Sequence, residues 1–172
     1  MTRTLYTMGY GNWPTKQRMA GMLDALEHHG ITMLVDIRQS LCASDPTPNT
    51  NYSAKDWNLQ ATGGIEAQLH GRGIEYRWLM ELGNPQKRDR TMKIMRAHLE
   101  SGDDRWPVVR GMRMLAELLE DTSHTYCLLC ACAEYEACHR KLVAETLNAT
   151  FLNGDLEIKD IGRSDIARRH RK

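Results

Sequence analysis

The sequence predicts a single α/β domain of Rossmann-like type, with a mainly parallel sheet flanked by helices. Three observations predict it. Short apolar runs of strand character alternate with segments whose apolar residues recur at helical spacing. Turn-forming residues punctuate the ends of those runs. The length of 172 residues fits one domain. A chain of that length buries roughly 70% of its unfolded surface, so its core needs no covalent staple.

Residues 5–8 form the first apolar run, which ends in the turn-rich Gly9-Tyr10-Gly11-Asn12. Met19, Met22, Leu23 and Leu26 then share one helix face, and Gly30 stops that helix. Residues 31–37 are apolar except for Thr32 and Asp36, as a strand buried on both faces would be. These three segments read as a βαβ unit. Residues 42–64 are polar, with Pro46, Pro48 and the pair Gly63-Gly64, and read as loop. A short helix over residues 65–69 leads to a third strand over residues 74–79, followed by Glu81-Leu82-Gly83-Asn84-Pro85. Met92, Met95 and Leu99 predict one further helix, and Met112, Leu115 and Leu119 another. Residues 126–131 (YCLLCA) form a buried strand, and Leu142, Val143, Thr146 and Leu147 mark a helix that starts near Cys138. A last strand covers residues 156–161.

The domain is expected to span residues 1–162, with a basic tail over residues 163–172. The net charge of +1 hides this asymmetry. The tail holds five Arg or Lys and one Asp, or +4, while the rest has 18 basic and 21 acidic side chains, or −3. Such a tail reads as a solvated terminus or as a nucleic-acid-binding arm. Hydrophobic residues at 41% and charged residues at 26% are ordinary globular usage. Ten methionines against a single phenylalanine suggest a core whose gaps methionine fills. No apolar stretch approaches a membrane span, and the opening residues read as a strand rather than a targeting peptide. A cytoplasmic setting without a membrane partner is therefore the expectation.

Four of the five cysteines, Cys127, Cys130, Cys132 and Cys138, fall within twelve residues. A secreted disulfide framework would spread them along the chain, whereas clustering points to thiol chemistry or a metal. Cys127 lies inside a strand and reads as structural. Cys138 sits at a predicted helix start beside His139 and Arg140, where unsatisfied N–H groups and positive charge favour a thiolate. The same features suit a phosphate or carboxylate. Cys-x-Cys followed, after five intervening residues, by Cys-His is a poor zinc spacing, so no bound metal is expected.

In a parallel sheet ligands bind beyond the carboxyl ends of the strands. That rule gathers the Gly9–Asn12 loop, Asp36, Arg38, Glu81 and the segment from Cys130 to Arg140. Asp36 and Arg38 point to one face of their strand, as an ion pair or as ligand contacts. Gly9 and Gly11 resemble a phosphate-cradling turn, but the third glycine of a dinucleotide fingerprint is replaced by Pro14.

Four motifs taken together resemble the domain-of-unknown-function 488 family. They are Tyr6-Thr7-Met8-Gly9-Tyr10-Gly11-Asn12, Val35-Asp36-Ile37-Arg38, the stretch from Gly73 through Pro85, and Leu128-Leu129-Cys130 with Cys138-His139-Arg140. They occur in order and cover residues 5 to about 150. Many members carry Glu two residues after the first cysteine, where this chain has Cys132. The resemblance implies the fold and the site but names no reaction.

The function expected from these readings is a cysteine-dependent enzyme acting on an anionic substrate, a nucleotide or nucleic-acid phosphate, in a crevice at the strand carboxyl ends. Cys130 or Cys138 would be the nucleophile or thiol ligand, and His139 would move protons. Arg140 and Arg38 would hold the anion, with Asp36, Gly9, Tyr10, Asn12 and Glu81 lining the site. The alternative is a nucleic-acid-binding or metal-binding accessory module without catalysis. The sequence specifies neither a cofactor nor an oligomeric state.

Overall fold

In the computed structural model, which describes residues 3–39, 64–86 and 89–163, strands and helices alternate along the chain. The strands are β1 (Arg3–Gly9), β2 (Met33–Asp36), β3 (Glu75–Trp78), β4 (Tyr126–Cys130) and β5 (Leu156–Ile161). The helices are α1 (Arg18–His28), α2 (Ile65–His70), α3 (Lys93–Ser101), α4 (Pro107–Leu118) and α5 (His139–Thr146). The five strands form one sheet in the order β3-β2-β4-β1-β5, and every neighbouring pair is parallel. This is the α/β, Rossmann-like architecture that the sequence predicts. Of the loop expected over residues 42–64, residues 42–63, Cys42 among them, lie outside the described residues, as does the tail beyond Arg163.

Local rules explain where the elements stop. Gly30 and Gly102 follow α1 and α3 with φ of 65° and 63°, a left-handed conformation that a side chain disfavours and that ends a helix. Pro107 opens α4, where its missing N–H costs no hydrogen bond. α5 begins one residue after Cys138, whose sulfur accepts from the backbone N–H of Arg140 and so caps it.

Strand periodicity sorts the core into two layers. Leu5, Met33, Val35, Tyr126 and Leu128 pack with residues of α3, α4 and α5, including Met95, Met112, Leu115, Leu142 and Val143. Met8, Leu34, Cys127 and Leu129 pack with Met22, Leu23 and Leu26 of α1 and with Ile65 and Leu69 of α2. Alternate residues of one strand thus face opposite helical layers. Each fully buried leucine or methionine contributes roughly 1.5–3 kcal/mol. Cys127 is one of these core side chains. Cys130, three residues on, shares the parity of Tyr126 and Leu128 and points toward the layer of α5.

Register levels the ends of three central strands. Gly9 of β1 lies opposite Cys130 of β4, and Asp36 of β2 lies opposite Leu129. The carboxyl edge of the sheet therefore brings the loops after β1, β2 and β4 side by side. Among the described residues no helix is long and apolar enough to cross a membrane.

Candidate functional site

At this edge three cysteines and a histidine converge. Cys130 ends β4, Cys132 follows two residues beyond it, and Cys138 and His139 open α5. The Cys138 Sγ lies 3.1 Å from the Cys130 Sγ. The sulfurs of Cys130, Cys132 and Cys138 all lie within 4.8 Å of one another. Cys130 and Cys138 are buried, whereas Cys132 is exposed. His139 places Nδ1 3.5 Å from the Cys130 sulfur and 3.8 Å from that of Cys138. Its Nε2 lies 3.0 Å from the Ile37 carbonyl oxygen. A carbonyl only accepts, so Nε2 carries the proton, and Nδ1 faces the thiols as the ring's exchangeable position.

The backbone supports the two buried sulfurs in the same way. Cys130 Sγ accepts from the N–H of Cys132 at 3.5 Å, and Cys138 Sγ accepts from the N–H of Arg140 at 3.4 Å. Arg140 is fully buried and holds the intervening loop in place. Its Nη1 donates to the Cys132 carbonyl at 3.0 Å and its Nη2 to that of Ala133 at 3.3 Å. Its Nε donates to Asp160 at 3.1 Å, and the same carboxylate accepts from the Thr7 hydroxyl at 2.5 Å.

Gly9 and Gly11 let the β1 loop press against this cysteine loop. A Cβ at Gly9 would stand 1.6 Å from the Cys132 carbonyl oxygen, and one at Gly11 would stand 2.7 Å from that of Ala131. Gly11 also donates its N–H to Ala131 at 3.1 Å. The two glycines therefore permit a close backbone approach, and a phosphate-cradling role is not what their surroundings favour. Gly9→Ala is expected to cost about 2–3 kcal/mol through overpacking, measured by urea unfolding. It should also displace Cys132, raising its labelling by a small alkylating reagent. Wild-type stability in this variant would contradict the packing account.

A second cluster surrounds Asp36. Its carboxylate accepts from the backbone N–H of Arg38 at 2.9 Å, from Arg38 Nε at 2.9 and 3.0 Å, and from Arg38 Nη2 at 2.6 Å. The Tyr76 hydroxyl donates to it at 2.8 Å. Burial, then the charge of Asp36, pushes the Tyr76 phenol up, so it stays a donor. The Arg38 guanidinium lies over the Tyr10 ring, 5.4 Å from its centroid. Tyr10 itself is buried with the α1 and α2 layer, and burial pushes its phenol up as well.

The thiols perturb one another strongly. Hydrogen bonds with Cys130 and Cys138 draw the Cys132 thiol well below the ordinary range, against a smaller opposing effect of burial. The contact with Cys132, then burial, pushes Cys130 up against an opposing hydrogen bond with Cys138, while contacts with Cys130 and Cys132, then burial, push Cys138 up. Three like charges cannot share so small a space, so one sulfur ionises first and the others remain its donors. The depressed thiol expected at Cys130 or Cys138 is thus at Cys132. For His139 burial opposes the charged ring, but the Cys138 sulfur and the Ile37 carbonyl outweigh it and raise its value.

The family model for the domain of unknown function DUF488 matches residues 18–147, three-quarters of the chain. The chain belongs to the DUF488 family. No curated protein and no solved structure matches it. The matched stretch of this DUF488 chain runs from α1 through α5 and contains all four clustered cysteines.

Of the residues that the sequence singles out in this DUF488 domain, Cys130, Cys138 and His139 come together. Arg140 is beside them, but its guanidinium is taken up by Asp160 and two carbonyls. Arg38 and Asp36 form an ion pair in the second cluster, which meets the first at Ile37. Glu81 sits in a 3-10 turn after β3, with its Cβ against Gly111 of α4. Asn12 closes the short turn after Gly9. Sequence reasoning gave Cys132 only a rejected place as a metal ligand and gave no role in the site to Asp160, Thr7 or the Ile37 carbonyl. A third cysteine inside the Cys130–Cys138 interval was a signal for the first of these. Chemically, the cluster offers one exposed sulfur, two buried sulfurs, a proton acceptor and a donor set suited to a soft metal.

Proposed function

We propose that this DUF488 chain is a cysteine-dependent enzyme working by thiol–disulfide exchange, with Cys132 as the attacking thiol and Cys130 and Cys138 as its resolving partners. The observation that carries the reading is an exposed sulfur with two buried sulfurs within 4.8 Å. Exchange needs an accessible thiolate and a second thiol close enough to displace the mixed disulfide.

The Cys132 thiolate attacks one sulfur of a disulfide substrate, and the substrate's S–S bond breaks. One substrate thiolate departs. A buried neighbour then gives its proton to His139 Nδ1 and attacks the Cys132 sulfur, which releases the second substrate thiolate and closes a disulfide within the cluster. The substrate gains two electrons and the protein dithiol loses them. The proton on His139 passes to a departing thiolate. The paired arginines have structural duties in this reading, so the anion-holding roles expected of Arg38 and Arg140 are not part of it.

The test uses an aromatic disulfide reagent that releases a coloured thiolate, in a Cys42→Ser background. The parent should release two equivalents and keep no lasting adduct. Cys132→Ser should react about a hundredfold more slowly, the factor set when buried thiols wait for an opening of about 3 kcal/mol. An unchanged rate in Cys132→Ser would overturn the reading.

A further inference from the structure

We infer that Cys130, Cys132, Cys138 and His139 also form a binding site for a soft divalent metal ion of the zinc type. The inference goes beyond thiol exchange and depends on that reading only in requiring the three thiols to be reduced.

The spacing argument against zinc is one of distance along the chain, and the fold supplies the distances in space. In a tetrahedral site with sulfur ligands at about 2.3 Å and nitrogen at about 2.0–2.1 Å, sulfurs stand about 3.8 Å apart and nitrogen about 3.6 Å from each sulfur. The three sulfurs fall within 4.8 Å of one another, and His139 Nδ1 is 3.5 and 3.8 Å from those of Cys130 and Cys138 but stands outside that group, so it has to close on Cys132 to complete the tetrahedron. Cys130 and Cys138, at 3.1 Å, need to part by about 0.7 Å.

The outer contacts are those of ligands. The Ile37 carbonyl holds the Nε2 proton of His139, so that Nδ1 can present a lone pair, the usual second contact of a metal-binding imidazole. Backbone N–H groups of Cys132 and Arg140 point at the Cys130 and Cys138 sulfurs and favour their thiolate forms. Arg140 pins the carbonyls of Cys132 and Ala133, which turns Cys132 back toward Cys130. Three sulfurs and one imidazole select zinc or cobalt over magnesium or calcium. A metal bound here engages the sulfur electron pairs that exchange requires, so loading should suppress reaction with disulfides.

The experiment is a titration of the reduced full-length Cys42→Ser chain with cobalt(II) in the absence of oxygen. Absorbance should show sulfur-to-cobalt charge transfer and the intense visible bands of a tetrahedral ion, saturating at one equivalent and bleached by zinc. Cys132→Ser changes an exposed residue and should keep the fold, checked by circular dichroism, while weakening cobalt binding by more than about a hundredfold, beyond the usual cost of losing a second-shell partner. His139→Gln should shift the visible bands, and an identical spectrum would remove His139 as the fourth ligand. A failure to bind one equivalent, or binding unaffected by Cys132→Ser, would overturn the site. If cobalt does not bind while disulfide exchange depends on Cys132, the metal inference falls and the exchange reading stands. If cobalt binds but Cys132→Ser leaves exchange unchanged, the reverse holds.

Discussion

Asp36→Ala is expected to destabilise the fold by about 3–5 kcal/mol, the range found when one partner of a buried ion pair is removed. Asp36 is fully buried and the Arg38 side chain is 6% exposed. Removing the carboxylate takes from the buried guanidinium the charge and the hydrogen bonds of Asp36, and takes the acceptor from the Tyr76 hydroxyl. A loss of that size is a large part of the roughly 5–15 kcal/mol that holds a domain of this kind together. Replacing both members, Asp36→Leu with Arg38→Met, should recover much of it, because a buried pair gains little over apolar residues of similar volume. Urea unfolding of the single and double variants measures both values. The chain between the two residues carries the Ile37 carbonyl that orients His139. The single variant should therefore also expose Cys138 to alkylation before global unfolding. A single variant within about 1 kcal/mol of the parent would contradict the role given to this pair.

Arg140→Met is expected to cost about 2–3 kcal/mol, somewhat less than Asp36→Ala. The reason is the partner's exposure: the Asp160 side chain is 26% accessible, so water can replace part of the lost interaction. The larger consequence is local. The carbonyls of Cys132 and Ala133 lose their donors, and the turn keeps only the N–H of Gly11 on the Ala131 carbonyl and its own N–H on the Cys130 sulfur. Cys130 and Cys138 should then label with iodoacetamide at rates approaching that of Cys132. The variant should keep its circular dichroism spectrum at low denaturant concentration. Slow labelling of the two buried cysteines in a folded Arg140→Met protein would show that the loop is held by other means.

The strands were legible because their signal is local. The apolar run in β4 and the final strand over residues 156–161 can be read without knowing what they pair with, and β5 is found over Leu156–Ile161. The pairing of Asp36 with Arg38 was legible as one of two alternatives, since two residues in a strand share a face. The partners of Arg140 were not legible, for the opposite reason. A cation in a sequence shows its charge but not its partner, and Asp160 is twenty residues away in a strand that lies beyond β1. Only the register that sets Thr7 opposite Asp160 brings that carboxylate within reach of α5. Gly9 suggested a phosphate loop because a glycine's freedom looks the same whether a ligand or another backbone comes close. Cys132 was passed over as too near Cys130 for a metal, yet the turn that folds it back is made by Arg140, not by any periodic pattern.

The central claim concerns Cys132, and peptide mapping after a single turnover tests it most directly. The reduced Cys42→Ser chain is mixed with one equivalent of glutathione disulfide, quenched with acid and alkylated. It is then digested without reduction for mass spectrometry. The account predicts a disulfide joining Cys132 to Cys130 or Cys138, with two equivalents of glutathione thiol released. Recovery of Cys132 as the alkylated thiol after the glutathione disulfide has been consumed would contradict it.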